Sequence, residues 1–194
     1  MTLVAALAGA CGFGGTPDPR NLEGAMAYAA LAVERDDPAM LFRIVDARAR
    51  HAMISIVNDR RAAASLVRET YPEAERAAAL ARLGDAAEVE SARELFARRC
   101  DAACRSTIGG DVGKPERTET EGEETIVHTA RGTTVRVWRA EEGDWWGLVW
   151  HTDELDEERA RANRDLRLIE ENAETYRRRR ELEGSESDAP TKAD

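Results

Sequence analysis

Val135-Arg-Val-Trp-Arg-Ala-Glu-Glu-Gly-Asp-Trp-Trp-Gly-Leu-Val-Trp150 is two β-rich runs joined by a charged turn that contains a glycine. Valine and tryptophan fit a pleated, half-buried surface, and a link of this length suits a hairpin. Side chains alternate along a strand. Val135 and Val137 therefore share one face, and Thr134, Arg136 and Trp138 share the other. Trp146, Leu148 and Trp150 likewise stand opposite Trp145, Val149 and His151. A third run, 124–129, leads in through Ala130-Arg131-Gly132. The expected unit is an antiparallel meander with strands at 124–129, 133–139 and 145–152. So small a sheet needs a covering layer to be stable in water.

The residues upstream supply that layer. Asn21 is positioned to cap a helix running to about 35, with Leu22, Met26, Ala29, Ala30 and Val33 on one face. Asp37-Pro38 opens a short helix to about 46. A third helix runs from about 47 to 70 on a stripe of Met53, Ile56, Val57, Ala63, Ala64 and Val67, until Pro72 breaks the run. Two more are predicted: one over 73–82, stopped by Gly84, and one capped by Asp85 and ending near Cys100. Residues 105–122 read as a loop with at most one short strand. Downstream, 153–183 reads as a long polar helix with Leu155, Ala162, Leu166, Ile169, Ala173 and Tyr176 on a heptad-like seam. The fold class is α+β: N-terminal helices packed on a small antiparallel meander, plus a long C-terminal helix.

The 194 residues are enough for one domain with a real core, here 21–152. A net charge of -10 excludes a general nucleic-acid binder, which needs a basic surface. No stretch approaches the roughly 20 apolar residues of a spanning helix. Residues 184–194 read as a disordered tail.

The first fifteen residues, Met1-Thr-Leu-Val-Ala-Ala-Leu-Ala-Gly-Ala-Cys11-Gly-Phe-Gly-Gly15, resemble the end of a bacterial lipoprotein signal peptide. That resemblance implies a signal segment at 1–10 and a lipidated Cys11. Gly12, directly after it, is compatible with sorting to the outer membrane. Residues 11–20, rich in Gly and Pro, would then be a flexible tether. The expected location is the cell envelope, lipid-anchored on the periplasmic side of the outer membrane. The other reading is a frayed apolar terminus on a cytoplasmic protein.

Cys100 and Cys104 are an even pair, and an oxidising compartment would allow a disulfide between them. Residues four apart on a continuous helix hold their Cβ atoms about 5–6 Å apart, and a bridge wants about 3.5–4.5 Å. Bridging therefore requires the helix to end or loosen near Asp101. Trp138, Trp146 and Trp150 are candidate ligand-facing aromatics; the competing reading is cross-strand packing. His128 and His151 lie on nearby strands, but no metal site is assigned. Gly109 to Lys114 lacks the Walker spacing, no G-x-S-x-G motif occurs, and no single carboxylate stands out as an acid or base. No catalytic residue and no cofactor are assigned. The seam of the C-terminal helix serves either to fold back on the domain or to bind a protein partner.

Helices followed by a meander ending in Val135 to Trp150 resemble the nuclear-transport-factor-like cone fold. That family contains isomerases and cyclases as well as non-enzymatic members, and no position here matches a catalytic motif of it. The expectation is a membrane-anchored, non-enzymatic binding or scaffold module. Its alternatives are a small cone-fold enzyme or binding protein for an apolar metabolite, and a cytosolic helical adaptor.

Overall fold

Short polar side chains start most of the helices. Asn21 accepts from the Gly24 amide at 2.7 Å and opens α1 (Leu22–Glu34). Asp37 caps Met40 at 2.9 Å and opens α2 (Pro38–Ile44). Asp46 caps Ala49 at 3.1 Å and opens α3 (Ala47–Thr70), which Pro72 closes. Each cap satisfies an amide that the helix itself leaves unpaired. The computed structural model describes residues 15–140 and 145–187. After α4 (Glu73–Ala81), Gly84 takes φ 71°, and the chain makes a 3-10 turn at Asp85–Ala87.

The single helix expected after Asp85 is thus divided. Ser91 caps Glu94 and starts α5 (Ala92–Arg99), while the Glu94 carboxylate accepts from the Glu90 amide. This is close to a capping box, and it outcompetes Asp85 as the start signal. A second correction follows. Residues 105–122 are more than a loop: they begin with the end of α6 (Ala102–Asp111), capped by Asp101, and the one short strand allowed there is β1 (Pro115–Glu121). Gly109 and Gly110 in the last turn of α6 weaken its sequence signal, because glycine disfavours helix interiors.

The sheet is therefore four-stranded, in the order β1-β2-β3-β4, with β2 at Glu124–Thr129, β3 at Thr134–Arg139 and β4 at Trp146–Leu148. All pairs are antiparallel, with Val127 opposite Val135 and Val137 opposite Leu148. Val127, Val137 and Leu148 are buried against the helices. The exposed edge strand β1 carries Arg117, Glu119 and Glu121, charges that discourage pairing with another sheet. β4 is shorter than the strand expected at 145–152. The chain must swing out to start α7 (Thr152–Ser187), and His151 makes that swing at φ 48°.

α3 and α7 run side by side in the same direction. Asp46 meets Thr152 near their starts, Arg60 meets Asp165 midway, and Tyr71 meets Asn172 further on. Leu155, Ala162, Ile169 and Ala173 of the seam are buried, so this stretch of α7 folds back on the domain. Small residues on both helices, among them Ala63, Ala64, Ala162 and Ala173, let the backbones approach closely. α7 continues through Ser187, into the stretch read as a tail; residues 188–194 lie outside the described residues, as does Cys11. The main core gathers α1, α2, α3, α5 and the sheet around Phe96, Met26, Leu41 and Met53, with a smaller cluster at the α3–α4–α7 end. The architecture is α+β, as expected.

Candidate functional site

A cleft of about 390 Å³ opens between α6 and the sheet. One face of α6 forms a wall: Cys104, Thr107, Ile108 and Asp111 recur at the three- and four-residue spacing that aligns side chains on a helix. Val135 of β3, Leu148 of β4 and Trp150 line the opposite side, and Leu41 and Val45 close the floor. α6 is fixed at its far end. Arg131 donates to the Gly109 carbonyl, and the Thr133 hydroxyl donates to that of Asp111. Gly109 also sits against α1; a Cβ there would stand 2.6 Å from Val33 Cγ1. The helix is thus held while its middle leaves room in front of β3.

The cleft is apolar below and polar at its mouth, where Thr107, Asp111, Thr134, Arg136 and His151 gather. Arg136 is engaged by Glu121 and Glu124. His151 lies 3.8 Å from Glu154, a pair that is ionic only when the imidazole is protonated. Among the described residues no hydrogen bond or ion pair joins Asp111, Arg136 and His151 to one another. Trp150 is held edge-on by Phe96, with ring centres 4.9 Å apart, and by His151 at 4.9 Å.

Cys100 and Cys104 are joined by a disulfide whose Cα atoms are 5.0 Å apart. The helix break that such a bridge needs is present: α5 ends at Arg99, Cys100 takes φ -94° and ψ 78°, and Asp101 starts α6 anew. Cys100 is buried in the core and Cys104 reaches the cleft wall, so the bridge ties that wall to the core.

The structure separates the three candidate tryptophans. Trp150 lines the cleft, whereas Trp138 and Trp146 line a second cavity of about 260 Å³ together with Trp145, Arg43 and Arg50. Cation–π contacts engage both of them, with the Arg48 guanidinium 4.9 Å from the Trp138 ring and that of Arg139 5.8 Å from the Trp146 ring. His128 and His151 are also kept apart, because β3 lies between β2 and the chain that follows β4. No cluster of metal-ligating side chains occurs among the described residues, and none of the described helices is long and apolar enough to cross a membrane.

Thr107, Ile108 and Asp111 escape a reading of 105–122 as a loop. The signal that could have found them is Asp101 as a cap with Cys104, Ile108 and Val112 at helical spacing behind it. Displaced titrations occur on the α3–α5–α7 side of the molecule. There Arg99 bridges Asp85 and Glu158, and its hydrogen bonds hold the Asp85 carboxyl below the usual carboxylate range. The hydrogen bond from Tyr176 to Glu75 pushes the Tyr176 phenol up. Comparison of the chain with protein-family models, with curated proteins and with solved structures yields no match.

Proposed function

We propose that the chain is a membrane-anchored envelope lipoprotein that acts as a non-enzymatic binding module, with the α6–β3–β4 cleft as its site for a small apolar ligand. The observation that carries this reading is the Cys100–Cys104 bridge set in the wall of an open apolar cleft. Disulfides persist in oxidising compartments, which agrees with export. A cleft of about 390 Å³ falls within the range of small-molecule sites. Its lining offers apolar contact and scattered polar groups, not a paired acid and base. Acylation of Cys11 would contribute about 0.8 kcal/mol per buried methylene, and two or more chains make a durable anchor. α7 packs on α3 through its first two-thirds, and its exposed end is the remaining surface for a protein partner.

Titration with the neutral fluorophore N-phenyl-1-naphthylamine tests the cleft. A saturable rise in fluorescence that is lost in Val135→Trp, with circular dichroism unchanged, is the expected result. A rise that never saturates, or one that survives Val135→Trp, contradicts the proposal.

A further inference from the structure

The second cavity is lined by an arginine with an unpartnered donor. Arg50 projects from the first turns of α3, and its Nε is buried with no hydrogen-bond partner. Burial of a guanidinium without an acceptor is costly, and native proteins leave few such groups. Asp46, the anion whose charge acts on Arg50, is already committed. One of its carboxylate oxygens takes the Ala49 amide and lies 3.4 Å from Arg48 Nε, and the other takes the Thr152 hydroxyl at 2.8 Å. It acts on Arg50 through space only. Arg48 has its own partner in Glu124 at 2.8 Å. Arg43, exposed at the mouth, adds a second positive charge to the cavity. Trp138, Trp145 and Trp146 supply the walls, and Trp145 presents 40% of its surface to solvent.

The floor is set rigidly. A Cβ on Gly147 would lie 2.5 Å from the Asp46 Cα, and the Asp46 amide donates to the Leu148 carbonyl at 2.9 Å. Two guanidinium groups over a tryptophan-lined hollow recognise a planar anion carried on an aromatic ring. Arginine matches carboxylate and phosphate in a two-point fork, and indole faces stack on rings.

We infer that the Arg43–Arg50–Trp138–Trp145–Trp146 cavity is a second ligand site, separate from the α6 cleft, for a small aromatic carboxylate or aryl phosphate. Binding places the anion against the Arg43 and Arg50 side chains that line the cavity and the ring against the tryptophans.

Tryptophan fluorescence of the full chain, titrated with phenylacetate, phenyl phosphate and neutral benzyl alcohol, tests it. The two anions are expected to give a saturable change and benzyl alcohol none, and whichever anion binds more tightly identifies the headgroup. Arg50→Met is expected to weaken binding about tenfold or more, the scale of a lost charge-assisted hydrogen bond. It should leave the melting temperature unchanged or higher, because a half-buried arginine whose Nε lacks an acceptor is removed. The absence of saturation with both anions overturns the assignment, as does unaltered binding by Arg50→Met. A response that appears only after Glu141→Gln, Glu142→Gln and Asp144→Asn also overturns it, since the cations would then belong to the chain's own turn.

Discussion

Replacing Asp46 by alanine should be among the most damaging single changes in the chain. The residue is 1% exposed and joins three elements at one point. One carboxylate oxygen caps α3 at the Ala49 amide, and the other receives the Thr152 hydroxyl at the start of α7. Its main-chain amide ties the same point to β4 through Leu148. Loss of the cap costs about 1 kcal/mol. Loss of the charged acceptor leaves the buried Thr152 hydroxyl unpaired, a further cost of about 1.5–2 kcal/mol. Arg48 keeps Glu124, and Arg50 loses an attraction that acts through space only, so the third cost is small. The sum is about 3 kcal/mol, or roughly 6–12 °C in melting temperature for a domain of this size. Urea and thermal unfolding followed by circular dichroism would measure it. Asp46→Asn retains an oxygen acceptor and should lose only about 1 kcal/mol. In a double-mutant cycle with Thr152→Val, the two residues should couple by about 1 kcal/mol or more. If Asp46→Ala stays within about 1 kcal/mol of wild type, or the two losses simply add, the joint does not hold the elements as described.

Reduction of the Cys100–Cys104 bridge, or Cys104→Ser, frees a very short loop and should cost about 2 kcal/mol, seen as a melting temperature that depends on reductant. The neighbouring glycines of α6 should respond in opposite senses to alanine. Gly110→Ala meets nothing within 4 Å and should stabilise by roughly 0.5–1 kcal/mol, whereas Gly109→Ala meets Val33 Cγ1 at 2.6 Å and should destabilise by about 1–3 kcal/mol in the same unfolding assay. The Arg99–Asp85 pair stabilises fully above about pH 4, the unfolded carboxyl value, and its contribution fades as pH falls below that toward the lowered folded value. The stability advantage of wild type over Asp85→Asn should therefore shrink on acidification below about pH 4. It should be small at every pH, because the Asp85 side chain is 45% exposed and solvent screens the pair.

The parts of the fold legible in the sequence are those with a strong local signal. Asn21, Asp37 and Pro72 mark helix ends by their own chemistry, and alternation at Val135 and Val137 marks β3. The seam of α7 is visible in its spacing, but that spacing does not say what it packs on; α3 is specified by small residues about a hundred positions away. α6 was hidden because two adjacent glycines weaken its helix signal, and the packing that Gly109 serves, a close approach to Val33, has no local signature. The cleft shares that origin. One wall of it comes from α6, so a reading that misses this helix cannot assemble the site. The tryptophans illustrate the reverse error. Trp146 and Trp150 sit four apart and look like members of one strand face, but β4 ends at Leu148 and the turn through His151 sends Trp150 to a different cavity.

The central claim is that this domain works outside the cytoplasm, tethered through Cys11 and with its cleft wall locked by a disulfide. Intact-mass measurement on protein taken from membranes of its native cell tests both parts together. The account predicts a chain that begins at an acylated Cys11 and in which Cys100 and Cys104 resist alkylation until reduced. A soluble, unacylated chain that begins at Met1 and alkylates at both cysteines without reduction would contradict it.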